Sequence, residues 1–146
     1  MKKLFKKDHK VIINSINYYD VNSNDNSSDT FEIEASLELS NYKMLISNDL
    51  NHMKFNVSAF VIARNVVVNH TIFTLNASIS VISTLKKGVT EEKIKATTIK
   101  DNKLDIMKID ILLRPIIGQE INKFLDLTYY QKNNIFSDSN KLATSK

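Results

Sequence analysis

The 146-residue sequence contains no cysteine and no tryptophan, and it has only two glycines and one proline. Without cysteine there are no disulfide staples and no thiolate metal sites, so a packed core alone must hold the fold. Gly88, Gly118 and Pro115 are the whole complement of backbone specialists, which excludes a glycine-rich loop that cradles phosphate. Turns fall instead to the seventeen asparagines, with Asp and Ser, which tolerate left-handed geometry and bond their own backbone. No run approaches the roughly 18 apolar residues of a membrane helix, so no membrane insertion is expected. The opening MKKLFKK carries the charge of a secretory n-region. Asp8, His9 and Lys10, then Asn14 and Asn17, interrupt any apolar stretch behind it, and a cytoplasmic location is expected.

Reactive constellations are missing too. His9, His52 and His70 are far apart in sequence, with neither an H-x-x-x-H spacing nor a carboxylate–histidine cluster, so they read as scattered surface residues. Serines and aspartates are plentiful, but no strand–turn–helix elbow frames a nucleophile. The expectation is a binding protein with no catalytic residue, no metal and no cofactor, and not an enzyme.

Charge of one sign is scarce everywhere except at the start. Residues 1–10 hold five lysines against one aspartate, whereas the other 136 residues balance 15 basic with 15 acidic side chains. The body is near neutral, so no nucleic-acid partner is expected: no face shows a basic stripe with interleaved aromatics. The lysines read as a basic N-terminal arm over 1–10, ahead of a single domain over 11–131 and a flexible polar tail over 132–146.

What the chain does have is two periodicities in order. Apolar residues alternate at Phe31, Ile33, Ala35, Leu37 and Leu39; from Met53 and Phe55 through Val57, Ala59, Val61 and Ala63; and at Phe73, Leu75, Ala77, Ile79 and Val81. A period of two places each set on one face of a sheet. Residues 11–19 read as a first, less regular strand, and the others as strands near 30–40, 53–64 and 70–84. Residues 20–29 read as a flexible polar loop and 41–52 as a connection, although Met44, Leu45 and Ile46 would extend a strand. The short connections predict an antiparallel meander. Thr90 is placed to cap a short helix over 91–99. Asn102 with Asp105 resembles a capping box that opens a long helix over 103–131. Its apolar residues Ile106, Ile109, Leu113, Ile116, Ile117, Ile121, Phe124 and Leu125 keep helical spacing, and Pro115 with Gly118 predicts a kink near 114–118. The fold class is α+β, a four-stranded antiparallel sheet followed by a short and a long C-terminal helix.

Two surface features stand out. Glu32, Glu34 and Glu38 make an acidic row on the polar face of the second strand, read either as a solvated face or as a docking surface for a basic partner. Phe60 and Ile62 break the alternation of the third strand and put apolar bulk on its polar face, with Val66, Val67 and Val68 close by. A solvated sheet does not need this, so a neighbouring subunit, a helix or an apolar peptide segment is expected to cover it.

From the fourth strand onward the chain resembles the SecB family of protein-export chaperones. The matching run is TIFTLNASISVIS, VTEEKIKATTIK and DNKLDIMKIDILLRPIIGQEINKFLDL: an alternating strand, a Thr-Glu-Glu opening of a short helix, and an Asn-containing turn. A Leu-Arg-x-Ile-Ile opening of the long helix follows, at Leu113, Arg114, Ile116 and Ile117. The chain departs from that family in its single proline and in a tail over 132–146 with three lysines and one aspartate.

The resemblance implies an ATP-independent holdase that binds non-native polypeptides, in protein export or for a toxin–antitoxin client, with a translocase motor or a toxin protein as further partner. It implies a homodimer or homotetramer, client contacts at Phe60, Ile62, Val66 and Val68, and partner docking at Glu32, Glu34 and Glu38. The residues themselves leave open a phage- or plasmid-encoded adaptor that uses the same faces as fixed interfaces, and a sheet curled around a small ligand.

Overall fold

A computed structural model describes residues 1, 3–20, 33–67 and 69–128. Four long strands, β1 (Phe5–Asp20), β2 (Ile33–Ile46), β3 (His52–Asn65) and β4 (His70–Leu85), form one antiparallel sheet in the order β1-β4-β3-β2. Helix α1 (Glu91–Thr98) follows, then a miniature hairpin of β5 (Ile99–Lys100) and β6 (Lys103–Leu104), then the long helix α2 (Ile106–Thr128).

The alternation works as its period requires. The inward set on β3 and β4, from Met53 to Ala63 and from Phe73 to Val81, is buried, and so are Ala35 and Leu37 of β2. Ile109, Leu113, Ile117, Ile121 and Leu125 of α2 are equally buried, four residues apart along one stripe. Ile94 of α1 joins the same core. At the far end of α2, Phe124 meets the Tyr18 ring, which stacks on Phe73 at 5.3 Å. Both helices therefore share the core with one face of the sheet and leave the other face uncovered.

Several expectations need correcting. The lysine-rich start is not a separate arm: β1 begins at Phe5, and Leu4 and Phe5 are core residues. A register shift between Phe5 and His9 scrambles the alternation there, while Lys6, Lys7 and Lys10 stay exposed. Nor does β1 lie beside β2 in a meander. It pairs with β4, so only β2-β3-β4 is a meander and β1 closes the opposite edge. The 41–52 segment is not a plain connection, because β2 runs on to Ile46. A register shift between Ser40 and Lys43, with Asn41 at φ 57°, carries it past the turn formers.

Thr90 caps α1 as expected, its side chain accepting the Lys93 N–H at 3.2 Å. The start of α2 is different. Asp101 and Asn102, at φ 54° and 63°, turn the β5–β6 hairpin, and Asp105 accepts the Lys108 N–H at the helix start. Pro115 does not break α2, which is continuous over 23 residues. The carbonyl it leaves without a helical donor belongs to Ile111, which is on the exposed side of the helix. The loop expected over 20–29 and the tail over 132–146 fall outside the described residues, apart from Asp20 at the end of β1.

Candidate functional site

The residues marked out in the sequence gather on the uncovered face. Phe60 and Ile62 are both half-buried there, although no helix covers them. In the register of β3, Phe60 stands opposite Glu38 of β2 and Asn76 of β4, and Ile62 opposite Ser36 and Thr74. Neighbouring side chains cover them in part. Glu34 and Glu38 are exposed on the same face, with Glu34 opposite Arg64, so the expected client contacts and the expected docking row share one surface. Val66 is exposed beside Val67 in the β3–β4 turn, where the Asn65 side chain accepts the Val67 N–H at 3.0 Å. Glu32 and Val68 lie outside the described residues.

The rest of that face is uncharged and polar at its centre. Asn14, at a register shift of β1, donates its side-chain amide to the Ser80 hydroxyl at 2.8 Å, and Ser80 donates to Asn56 at 2.6 Å. Tyr19 and Leu45 are exposed on its outer strands. The face is therefore a mixed surface, with Phe60 and Ile62 as an apolar spot between charged and amide neighbours.

A second apolar surface was not read from the sequence. Ile106, Met107 and Ile111 of α2 are 53%, 76% and 68% exposed. Ile106 keeps the helical spacing of the core residues yet is exposed, and Met107 and Ile111 fall outside that spacing. The signal was present: eight of the twelve residues 106–117 are aliphatic or Met, too many for a single buried stripe. Singly exposed apolar residues are ordinary, but three within the first six residues of one helix are a patch.

Between the two surfaces lies a buried polar knot. Arg114 donates from Nε to Asp110 Oδ2 at 2.9 Å and from Nη2 to Oδ1 at 3.1 Å, and from Nη1 to the backbone carbonyl of Leu37. Tyr42 donates its hydroxyl to Asp110. Burial, then the hydrogen bond to Asp110, hold the Tyr42 hydroxyl well above its ordinary pKa. At the start of β1, His9 shares a 2.7 Å hydrogen bond with Ser83, and burial pushes its pKa below 6.5 against the opposing pull of Asp8. Among the described residues no group of three His, Cys, Asp or Glu is placed to hold a metal, and no helix is long and apolar enough to cross a membrane.

The architecture is the SecB-like α+β fold: a four-stranded antiparallel sheet followed by a short and a long helix. The chain is similar in structure to the SecB-like chaperone Rv1957 of Mycobacterium tuberculosis, solved in complex with a ChAD peptide from the Rv1956 HigA1 antitoxin. The two share 11% identity over 80% of this chain and 78% of that one, with a TM-score of 0.51. A protein of unknown function from Streptococcus agalactiae aligns at 12% identity over 83% of this chain and 91% of that one, with a TM-score of 0.32. No protein-family model matches the sequence, and no curated protein matches it.

Proposed function

We propose that this chain is an ATP-independent holdase that binds non-native polypeptides, with a partner drawn from protein export or from a toxin–antitoxin pair. The observation that carries the reading is apolar surface left exposed on a SecB-like fold, above all Ile106, Met107 and Ile111. Fold alone does not assign function, but the named neighbour holds a peptide, and this chain offers apolar positions suited to the same class of ligand. Several weak apolar contacts spread over one surface bind extended segments by avidity, without sequence specificity and without a nucleotide. Phe60, Ile62 and Val66 serve as further client contacts. Glu34 and Glu38 ring the same spot and favour segments with basic residues. Assembly into a homodimer or homotetramer belongs to this reading.

The test is suppression of aggregation of a reduced, alkylated unfolded protein, followed by light scattering. Met107→Glu with Ile111→Glu should abolish suppression while leaving helix and sheet content intact, since both side chains are exposed. Phe60→Glu should weaken it. A wild-type chain that never slows client aggregation defeats the proposal. The adaptor reading predicts the opposite pair of results: one stoichiometric partner and no affinity for unfolded chains.

A further inference from the structure

The knot of Tyr42, Asp110 and Arg114 has a direction that matters. β2 is an edge strand. The Ser47 N–H donates to the His52 carbonyl at 3.0 Å, and the Leu85 N–H to the Asn51 carbonyl at 2.8 Å. Backbone groups alternate sides along an antiparallel strand. Even-numbered residues of β3 therefore face β2, and odd-numbered ones face β4. Leu37 pairs with Val61, an odd residue, so Leu37 turns its N–H and C=O to the open edge. Arg114 meets that outward carbonyl from α2.

Its grip is costly. Both side chains of the Asp110–Arg114 pair are 7% exposed, whereas the Glu91–Lys95 pair, at the same spacing, stands in solvent. A buried ion pair rarely outperforms well-packed apolar side chains in stability. The polarity therefore serves something an aliphatic pair cannot provide, which is a donor on the edge carbonyl. Just beyond Leu39, the register shift between Ser40 and Lys43 disturbs the same edge again. On the other edge, Val11 and Ile13 pair with odd residues of β4 and likewise turn their backbone outward, yet no side-chain hydrogen bond among the described residues reaches either.

We infer that Arg114, held by Asp110 and Tyr42, is a plug that closes the β2 edge to strand addition, so that an extended polypeptide is refused at β2. Exposed edges recruit strands unless something blunts them. The plug makes Arg114 specificity-determining for polypeptide binding, because it decides where main-chain recognition is allowed. This inference goes beyond the holdase reading and is tested without any client.

The test compares the full chain with an Asp110→Leu/Arg114→Met variant, in which apolar side chains of similar bulk keep α2 seated while the plug is gone. Mass by light scattering and amide exchange at Leu37 and Leu39 are the readouts. The variant should keep its helix and sheet signals, and its mass should rise about twofold over wild type as β2 edges pair. Adding Leu39→Pro should return the mass to the wild-type value, because position 39 also points its N–H outward and proline there removes no ladder bond. Should the double variant fail to fold, Arg114→Lys is read the same way, since lysine keeps the charge but lacks the fork that spans Asp110 and Leu37. A folded variant with wild-type mass and wild-type exchange at Leu37 overturns the inference. So does association that survives Leu39→Pro.

Discussion

Arg114 and Asp110 hold each other's charge away from water, so removing one strands the other. Asp110→Ala should cost about 3–5 kcal/mol, read from the denaturant midpoint, because the guanidinium stays buried without its counter-charge. Tyr42→Phe removes a single donor to a charged acceptor, and about 1.5–3 kcal/mol is expected. The same residues shape the pH dependence. His9 has a folded pKa below its unfolded 6.5, so between those values the unfolded chain binds more protons. Its contribution is complete above pH 6.5 and shrinks as pH falls. Tyr42 has a folded pKa above its unfolded 10.0, so its contribution is complete below pH 10 and shrinks as pH rises. Thermal melts across the range should show stability declining at both ends. His9→Phe should flatten the acid limb and Tyr42→Phe the alkaline one, and unchanged limbs would remove these residues as the cause.

At the scale of elements, the turns carry the strain that scarce glycine leaves behind. Asp101 and Asn102 both adopt positive φ in the two-residue β5–β6 turn, a conformation that asparagine tolerates and β-branched residues do not. Asn102→Gly should leave stability unchanged or raise it by up to about 1 kcal/mol, whereas Asn102→Val should lower it by about 1–2 kcal/mol. Equal midpoints for the two variants would show that the turn is not strained. This hairpin also marks how far the sequence was legible. Asn102 was recognisable as a chain-reversing residue, but cap and turn use the same residue types, and only the pairing of Ile99 with Leu104 separates them. The inward faces of β3 and β4 and the cap at Thr90 were readable because each depends on neighbours in sequence. The place of β1 was not, because strand order depends on which edge accepts it, and twelve residues between β1 and β2 allow either. The extension of β1 back to Phe5 was masked by a register shift, and the plug at Leu37 joins residues 77 apart in the chain.

At the scale of the whole molecule, the basic start and the apolar patch offer two different driving forces for binding. Five lysines fall within residues 1–10, while the exposed patch of Ile106, Met107 and Ile111 opens α2. The sequence reading named Phe60, Ile62, Val66 and Val68 as client contacts and none of the α2 patch, since a broken alternation is conspicuous and a helix apolar on two sides is not. The two forces can be told apart by measurement. Capture through apolar surface carries a negative heat-capacity change and little salt dependence, whereas capture by lysines weakens as ions screen them over a Debye length of about 10 Å at 0.1 M salt. Calorimetry of the full chain with a reduced, alkylated unfolded protein should give a negative ΔCp and an affinity almost unchanged when salt is raised to about 1 M, where screening acts within about 3 Å. Met107→Glu with Ile111→Glu should shrink that ΔCp, while Lys6→Gln with Lys7→Gln should leave it alone. An affinity that collapses with salt and with the lysine substitutions would assign binding to the basic start of β1 and take the apolar patch out of the mechanism.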